Sequence, residues 1–190
     1  ISRNYNITAE SSPPTVNYPP LPKCLRRQTA DMLQKFSAIF GDDLGLVKNF
    51  EYEIDLEENA RGIHRPYRKI ALSKQDEVKR QLEDMLRKGV IRPVTEATKF
   101  TGQMSCPIQR GKVRLCLDPT DLNKYIRRHR YPPRYFDDIR TQLHGAKVFR
   151  KFDCRKGFWQ IALHPNSQLL TTFITPWGRF CFQRMPFGIT

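Results

Sequence analysis

The segment Phe152-Asp153-Cys154-Arg155-Lys156-Gly157-Phe158-Trp159-Gln160-Ile161 sets a carboxylate at the end of a hydrophobic run, then two bases, a glycine and two aromatic rings. Phosphoryl transfer from a nucleotide needs carboxylates to hold magnesium between the phosphates and the attacking hydroxyl. A carboxylate at a strand end, followed by a turn whose N–H groups face outward, suits one metal ion and a triphosphate. It equally suits an aspartate that caps the turn after a strand. Residue types alone leave both readings open.

Other chemistries find less support. The five cysteines (24, 106, 116, 154 and 181) form no Cys-x-x-Cys pair, and the histidines at 64, 129, 144 and 164 are not at ligand spacing to them. A zinc site is not expected, and reduced thiols are. There is no Gly-x-Gly-x-x-Gly or P-loop pattern. No apolar run approaches the roughly 20 residues that span a bilayer. Ile1-Ser2-Arg3-Asn4-Tyr5 shows no signal-peptide pattern. The expected location is intracellular, in the cytoplasm, with no membrane partner and no secretion. Both ends are expected to be cut from a longer protein.

Charge adds a partner class. The chain holds 33 Lys and Arg against 19 Asp and Glu, a net +14. Residues 61–156 alone carry 25 basic and 10 acidic side chains, whereas residues 1–60 carry 6 and 9. An excess in the middle of a globular region points to a polyanion such as nucleic acid.

The elements that must position these groups read as an α+β domain. Residues 1–28 form a Pro-rich linker, with five prolines between Pro13 and Pro22. A helix is expected from Thr29 to Phe40, stopped by Gly41, inside a pre-domain segment 29–44. A second runs from Ser73 to Lys88, with Val78, Leu82, Met85 and Leu86 as its apolar stripe, a capping box of Ser73 with Asp76, and Gly89 at its end. Val113 to Asp118 alternates as a strand, with Arg114 on the polar side. After Pro132-Pro133 a helix with Phe136, Ile139 and Leu143 ends near Gly145. Its Asp137 and Asp138 are charges favoured at a helix N-terminus. Strand-like runs follow at Val148–Asp153, Trp159–Leu163, Leu170–Thr175 and Arg179–Gln183, with Pro176-Trp177-Gly178 as a hairpin turn.

The Asp153 segment resembles the first catalytic-aspartate motif of reverse transcriptases, in particular those of Ty3/gypsy-type long-terminal-repeat retrotransposons. Four other stretches agree in order: Ile54-Asp55-Leu56 with Pro66-Tyr67-Arg68; Gly89-Val90-Ile91-Arg92-Pro93-Val94; Arg114-Leu115-Cys116-Leu117-Asp118 with Leu122-Asn123-Lys124; and Thr171-Thr172-Phe173, Pro176-Trp177-Gly178 and Met185-Pro186-Phe187-Gly188-Ile189. The resemblance covers about residues 45–190. It departs at Cys154, where a small or aliphatic residue is commoner, and at Phe100-Thr101, where Trp and Ser are.

The resemblance implies the fingers and partial palm of a right-hand polymerase: fingers over 45–127, the start of the palm over 128–160, and a return through the fingers over 161–190. Asp153 and the backbone of Cys154 would bind Mg2+, with Mn2+ as a substitute. Lys156 and Gly157 would line the triphosphate, Arg114 would clamp it with Lys112 assisting, and Phe158 would be a steric gate against the 2′-hydroxyl. Phe187 and Gly188 would sit by the nucleotide and template base. The parent would be an RNA-directed DNA polymerase using dNTPs on an RNA or DNA template-primer, in a Pol polyprotein with protease, RNase H and integrase. The Tyr-x-Asp-Asp hairpin with the remaining acids is expected beyond Thr190, so the fragment alone is expected to be inactive. The alternative is an inactive nucleic-acid-binding remnant of a retroelement.

Overall fold

The computed structural model describes residues 23–39, 43–109, 111–129, 131–147, 149 and 153–189. The chain divides into two compact units, residues up to Asp43 and residues from Leu44 onward. The first holds α1 (Lys23–Lys35) and a 3₁₀ turn at Ser37–Ile39. The helix thus starts at Lys23 and not at Thr29, inside the stretch expected to be linker. Only the prolines through Pro22 forbid a helix. Residues 23–28 contain no breaker, but they carry too few apolar side chains to announce a helical stripe.

In the second unit the order is β1 (Glu51–Tyr52), β2 (Ile63–His64), α2 (Leu72–Arg87), β3 (Ile91–Pro93), β4 (Phe100–Ser105), β5 (Ile108–Gln109), β6 (Lys112–Val113), β7 (Cys116–Asp118), α3 (Thr120–Asn123), α4 (Phe136–Gln142), β8 (Ala162–Leu163), α5 (Pro165–Gln168), β9 (Phe173–Thr175) and β10 (Gly178–Phe182). The main sheet runs β2-β4-β9-β10-β3, with β7 also on β4. β4 is parallel to β2 and β9 and antiparallel to β7. β9 and β10 form the expected hairpin: Thr175 pairs with Gly178, leaving Pro176-Trp177 as a two-residue loop.

The central strand β4 was not apparent in the sequence, because Phe100-Thr101-Gly102-Gln103-Met104-Ser105 neither alternates nor runs apolar. Its position between neighbours explains the composition. Phe100, Thr101 and Met104 are buried. A Cβ on Gly102 would lie 3.3 Å from the Asp118 carbonyl oxygen, a tight contact that glycine avoids where β7 pairs with β4.

α2 packs Val78, Leu82 and Met85 into the core as its stripe required. It begins one residue earlier than expected, at Leu72. Its N-cap is Ala71, which makes no side-chain capping bond, so no capping box forms. Ser73 falls inside the first turn, where its hydroxyl no longer precedes the free N–H groups. The core continues through Ile91, Leu163, Phe173, Phe180 and Phe182. Phe173 meets the rings of Phe180 and Phe182 at 5.8 and 5.4 Å between centroids.

Three expected strands are shorter than the apolar runs that suggested them. Val113–Asp118 breaks at Arg114-Leu115, where the Arg114 N–H turns to the Pro107 carbonyl at 2.8 Å. Trp159–Leu163 becomes a 3₁₀ turn over Gly157–Gln160 and then β8; Leu170–Thr175 begins as a 3₁₀ turn over Leu169–Thr171 before β9. The strand expected over Val148–Asp153 lies mostly outside the described residues. α4 forms after Pro133 with Asp137 and Asp138 in its first turn, and it buries no side chain.

Candidate functional site

The 3₁₀ turn after Asp153 depends on one unusual residue. Lys156 sits at φ 51°, in the left-handed region, and serves as the N-cap of Gly157–Gln160. Such a conformation costs a non-glycine residue about 1–2 kcal/mol and is found where the surroundings demand it. Here the Lys156 carbonyl accepts from the Trp159 N–H at 2.9 Å, and the Gln160 side chain donates to the Arg155 carbonyl at 2.9 Å. A Cβ on Gly157 would lie 3.3 Å from that of Cys154, so the turn carrying Asp153 closes tightly on this glycine. Asp153 and Cys154 are exposed. No described residue hydrogen-bonds or pairs with the Asp153 carboxylate, so it does not cap the turn.

Two neighbours complete the arrangement. The Met185 N–H donates to the Ile161 carbonyl at 2.9 Å, which brings Met185–Gly188 alongside the turn. Phe158 and Phe187 then meet edge to face, with centroids 5.2 Å apart and planes at 69°. Both rings stay open, at 45% and 46% exposure. Gly188 holds the far side: its carbonyl accepts from Asn123 Nδ2 at 2.8 Å. α3, which carries Asn123, is tied back by Asp121, whose carboxyl is lowered to about 2 by hydrogen bonds from Arg65 and Lys124.

Positive charge gathers on the same turn. The Lys156 ammonium lies over the Trp159 ring, 4.4 Å from its centroid. Its pKa is lowered by desolvation first, then by the like charges of Lys88, Arg155 and Arg114, against an opposing pull from Asp84. Arg114 from the fractured strand and Lys156 from the turn therefore feel each other. A cation, an exposed carboxylate and an exposed aromatic ring on one turn suit an anionic, flat-ringed ligand.

Residues 99–190 match the family model described as "Reverse transcriptase (RNA-dependent DNA polymerase)". The enzymatic polyprotein of Cauliflower mosaic virus (strain D/H) is 32% identical over 118 residues, 60% of this chain and 18% of that protein. The prototype foamy virus protease-reverse transcriptase superposes with a TM-score of 0.71 at 20% identity, over 90% of this chain and 23% of that one. The foamy viral protease-reverse transcriptase in complex with RNA/DNA hybrid does so with a TM-score of 0.71 at 17% identity, over 90% and 23%. Residues 99–190 are part of a reverse transcriptase domain. The chain spans about a fifth of the length of these relatives, and its fold is the mixed α+β fold of part of such a polymerase.

Within this reverse transcriptase domain, Gly157, Phe158, Phe187 and Gly188 come together, with Arg114 and Lys156 on the cationic side. Lys112 lies on β6 two residues before Arg114. Trp159 was read from the sequence only as a strand residue, yet it underlies the site. It is buried, lies 6.2 Å from Phe187 and supports Lys156. Its Nε1 is buried without a hydrogen-bond partner among the described residues. The signal for it was the aromatic pair directly after Gly157.

Gly188→Ala should be costly, because φ is +94° and the added Cβ would sit 3.2 Å from Pro119 Cγ. The expected loss is about 1–3 kcal/mol. A thermal melt should fall by several degrees; a shift below about 1 °C would show that the turn relaxes freely.

Proposed function

We propose that the protein containing this chain is an RNA-directed DNA polymerase of the Ty3/gypsy-like retroelement type, adding dNTPs to a DNA primer on an RNA or DNA template. The carrying observation is the exposed pair Phe158 and Phe187, held edge to face beside Gly157 and the free carboxylate of Asp153. In this proposal residues 45–127 and 161–190 are fingers, and residues 128–160 open the palm.

Among the described residues no group of three or more His, Cys, Asp and Glu could hold a metal ion. The site therefore fits a divalent cation only as a contributor: Asp153 offers one unpaired carboxylate, with the Cys154 backbone next to it. Mg2+ (or Mn2+) bound there would neutralise charge on the triphosphate and on the attacking oxygen. The chain's own residues do the rest. Arg114, with Lys112 assisting, clamps phosphate oxygens with charge-assisted donors. Lys156 adds a cation at the start of the turn. Phe158 supports the sugar, and Phe187 and Gly188 meet the base. With one carboxylate, residues 1–190 alone should show no primer extension. The remaining acids, the protease, RNase H and integrase belong to the rest of the polyprotein, which acts in the cytoplasm or a virus-like particle. No described helix is long and apolar enough to cross a membrane.

The deciding experiment is primer extension by the whole polymerase on an RNA template with dNTPs and Mg2+. Extension is expected. Tight duplex binding without extension would favour the inactive remnant. Duplex binding itself should weaken with salt, log–log, by roughly 0.9 per phosphate neutralised, given the excess of cations over residues 61–156. A flat salt response would contradict a phosphate-contacting surface.

A further inference from the structure

One cavity on the main sheet lies outside the proposed nucleotidyl-transfer site. It is an open depression of about 490 Å³, lined by His64 and Arg65 at the end of β2, Thr98 and Thr101 around the start of β4, and Arg179 on β10. These side chains form a chain of polar contacts. Arg179 Nη2 donates to Thr98 Oγ1 at 2.7 Å; the Thr98 and Thr101 hydroxyls are 3.4 Å apart; His64 Nδ1 is 3.1 Å from Thr101 Oγ1. No carboxylate lines the cavity.

Arg179 is the unusual member. Most arginines around this sheet have an acidic partner: Arg65 with Asp121, Arg68 with Asp118, Arg92 with Glu96. The partly buried Arg179 guanidinium has a threonine hydroxyl, and no described carboxylate pairs with it. A guanidinium has five N–H donors in a rigid fork, so most of this one's remain for something else. Partial burial of a cation without a counter-ion is unfavourable, and an oxyanion seated on the fork offsets that cost.

We propose that this cavity is a phosphate-binding site, in which Arg179 grips two oxygens of a phosphate group while the Thr98 hydroxyl and the His64 ring flank it. The ligand chemistry is a phosphate group, carried either by a single-stranded nucleic acid or by free orthophosphate. The site uses none of the residues assigned to nucleotide transfer, so it stands or falls independently of the polymerase reading.

The test is equilibrium binding by the full chain at low salt. Inorganic phosphate is titrated by calorimetry, and a fluorescein-labelled twelve-residue oligothymidylate by anisotropy. At least one of them should bind. Arg179→Gln should weaken that binding tenfold or more, and Thr98→Val about threefold. Lys79→Gln, which removes one charge from the exposed face of α2, should change it less than twofold. Binding of phosphate itself shows that the free ion suffices; binding of the oligonucleotide alone assigns the site to the strand. Absence of both interactions overturns the proposal. Equal losses for Lys79→Gln and Arg179→Gln also overturn it, since they would show a general charge effect. If circular dichroism shows that Arg179→Gln does not fold, Thr98→Val and His64→Gln decide on the same criterion against Lys79→Gln.

Discussion

Phe158→Val should raise the use of ribonucleotides relative to deoxyribonucleotides by roughly ten- to hundredfold in the complete polymerase. The Phe158 ring is not core: it is 45% exposed and touches Phe187 edge to face. In the proposed complex the sugar of the incoming nucleotide stacks on the exposed part of this ring, where a 2′-hydroxyl would overlap its edge. Close-packed groups resist an extra atom at about 1–3 kcal/mol, and 1.4 kcal/mol is a factor of ten. Misalignment of the reacting atoms should add to the penalty. The gain in the variant should appear in kcat/KM for CTP, with dCTP little changed. If Phe158 only packed the fold, its removal would lower both substrates together and lower the melting temperature. An unchanged dCTP-to-CTP ratio would remove the gate assignment.

Asp153→Asn should reduce single-turnover nucleotide incorporation by at least about 10²–10³-fold, the loss seen when one group stabilising transition-state charge is removed. The side chain is exposed and no described residue pairs with it, so asparagine fits without repacking and the fold should be unaffected. Template-primer affinity should hold as well, since the proposed binding surface is the basic one spread over residues 61–156. Activity within threefold of wild type, measured in Mg2+ by rapid quench, would show that Asp153 holds no catalytic ion.

The sequence exposed this site unevenly, for physical reasons. The tight turn at Gly157 was legible from its residue type, whereas the metal role proposed for Asp153 and the sugar contact proposed for Phe158 rest on the resemblance to reverse transcriptases and not on residue type alone. α2 was legible because Val78, Leu82 and Met85 share one helical face. β4 was not, because a central strand contacted on both sides needs no alternation, and Gly102 is there for closeness. The 3₁₀ turn was misread as a strand, since apolar residues after Gly157 look alike in either conformation. The role of Trp159 and the meeting of Phe158 with Phe187 depend on contacts between positions far apart in the chain, formed only when Met185 bonds to Ile161. Local patterning carries no trace of these.

In the proposed complex the incoming nucleotide sits on Phe158 and Phe187 with its phosphates toward Arg114 and Lys156. Photo-crosslinking of an azido-dATP in a ternary complex of the complete polymerase with primer and RNA template tests it most directly. After digestion, the base label should fall on the peptides containing Phe158 and Phe187, and excess dATP should compete it away. Competable labelling confined to other peptides, with these two untouched, would contradict the placement.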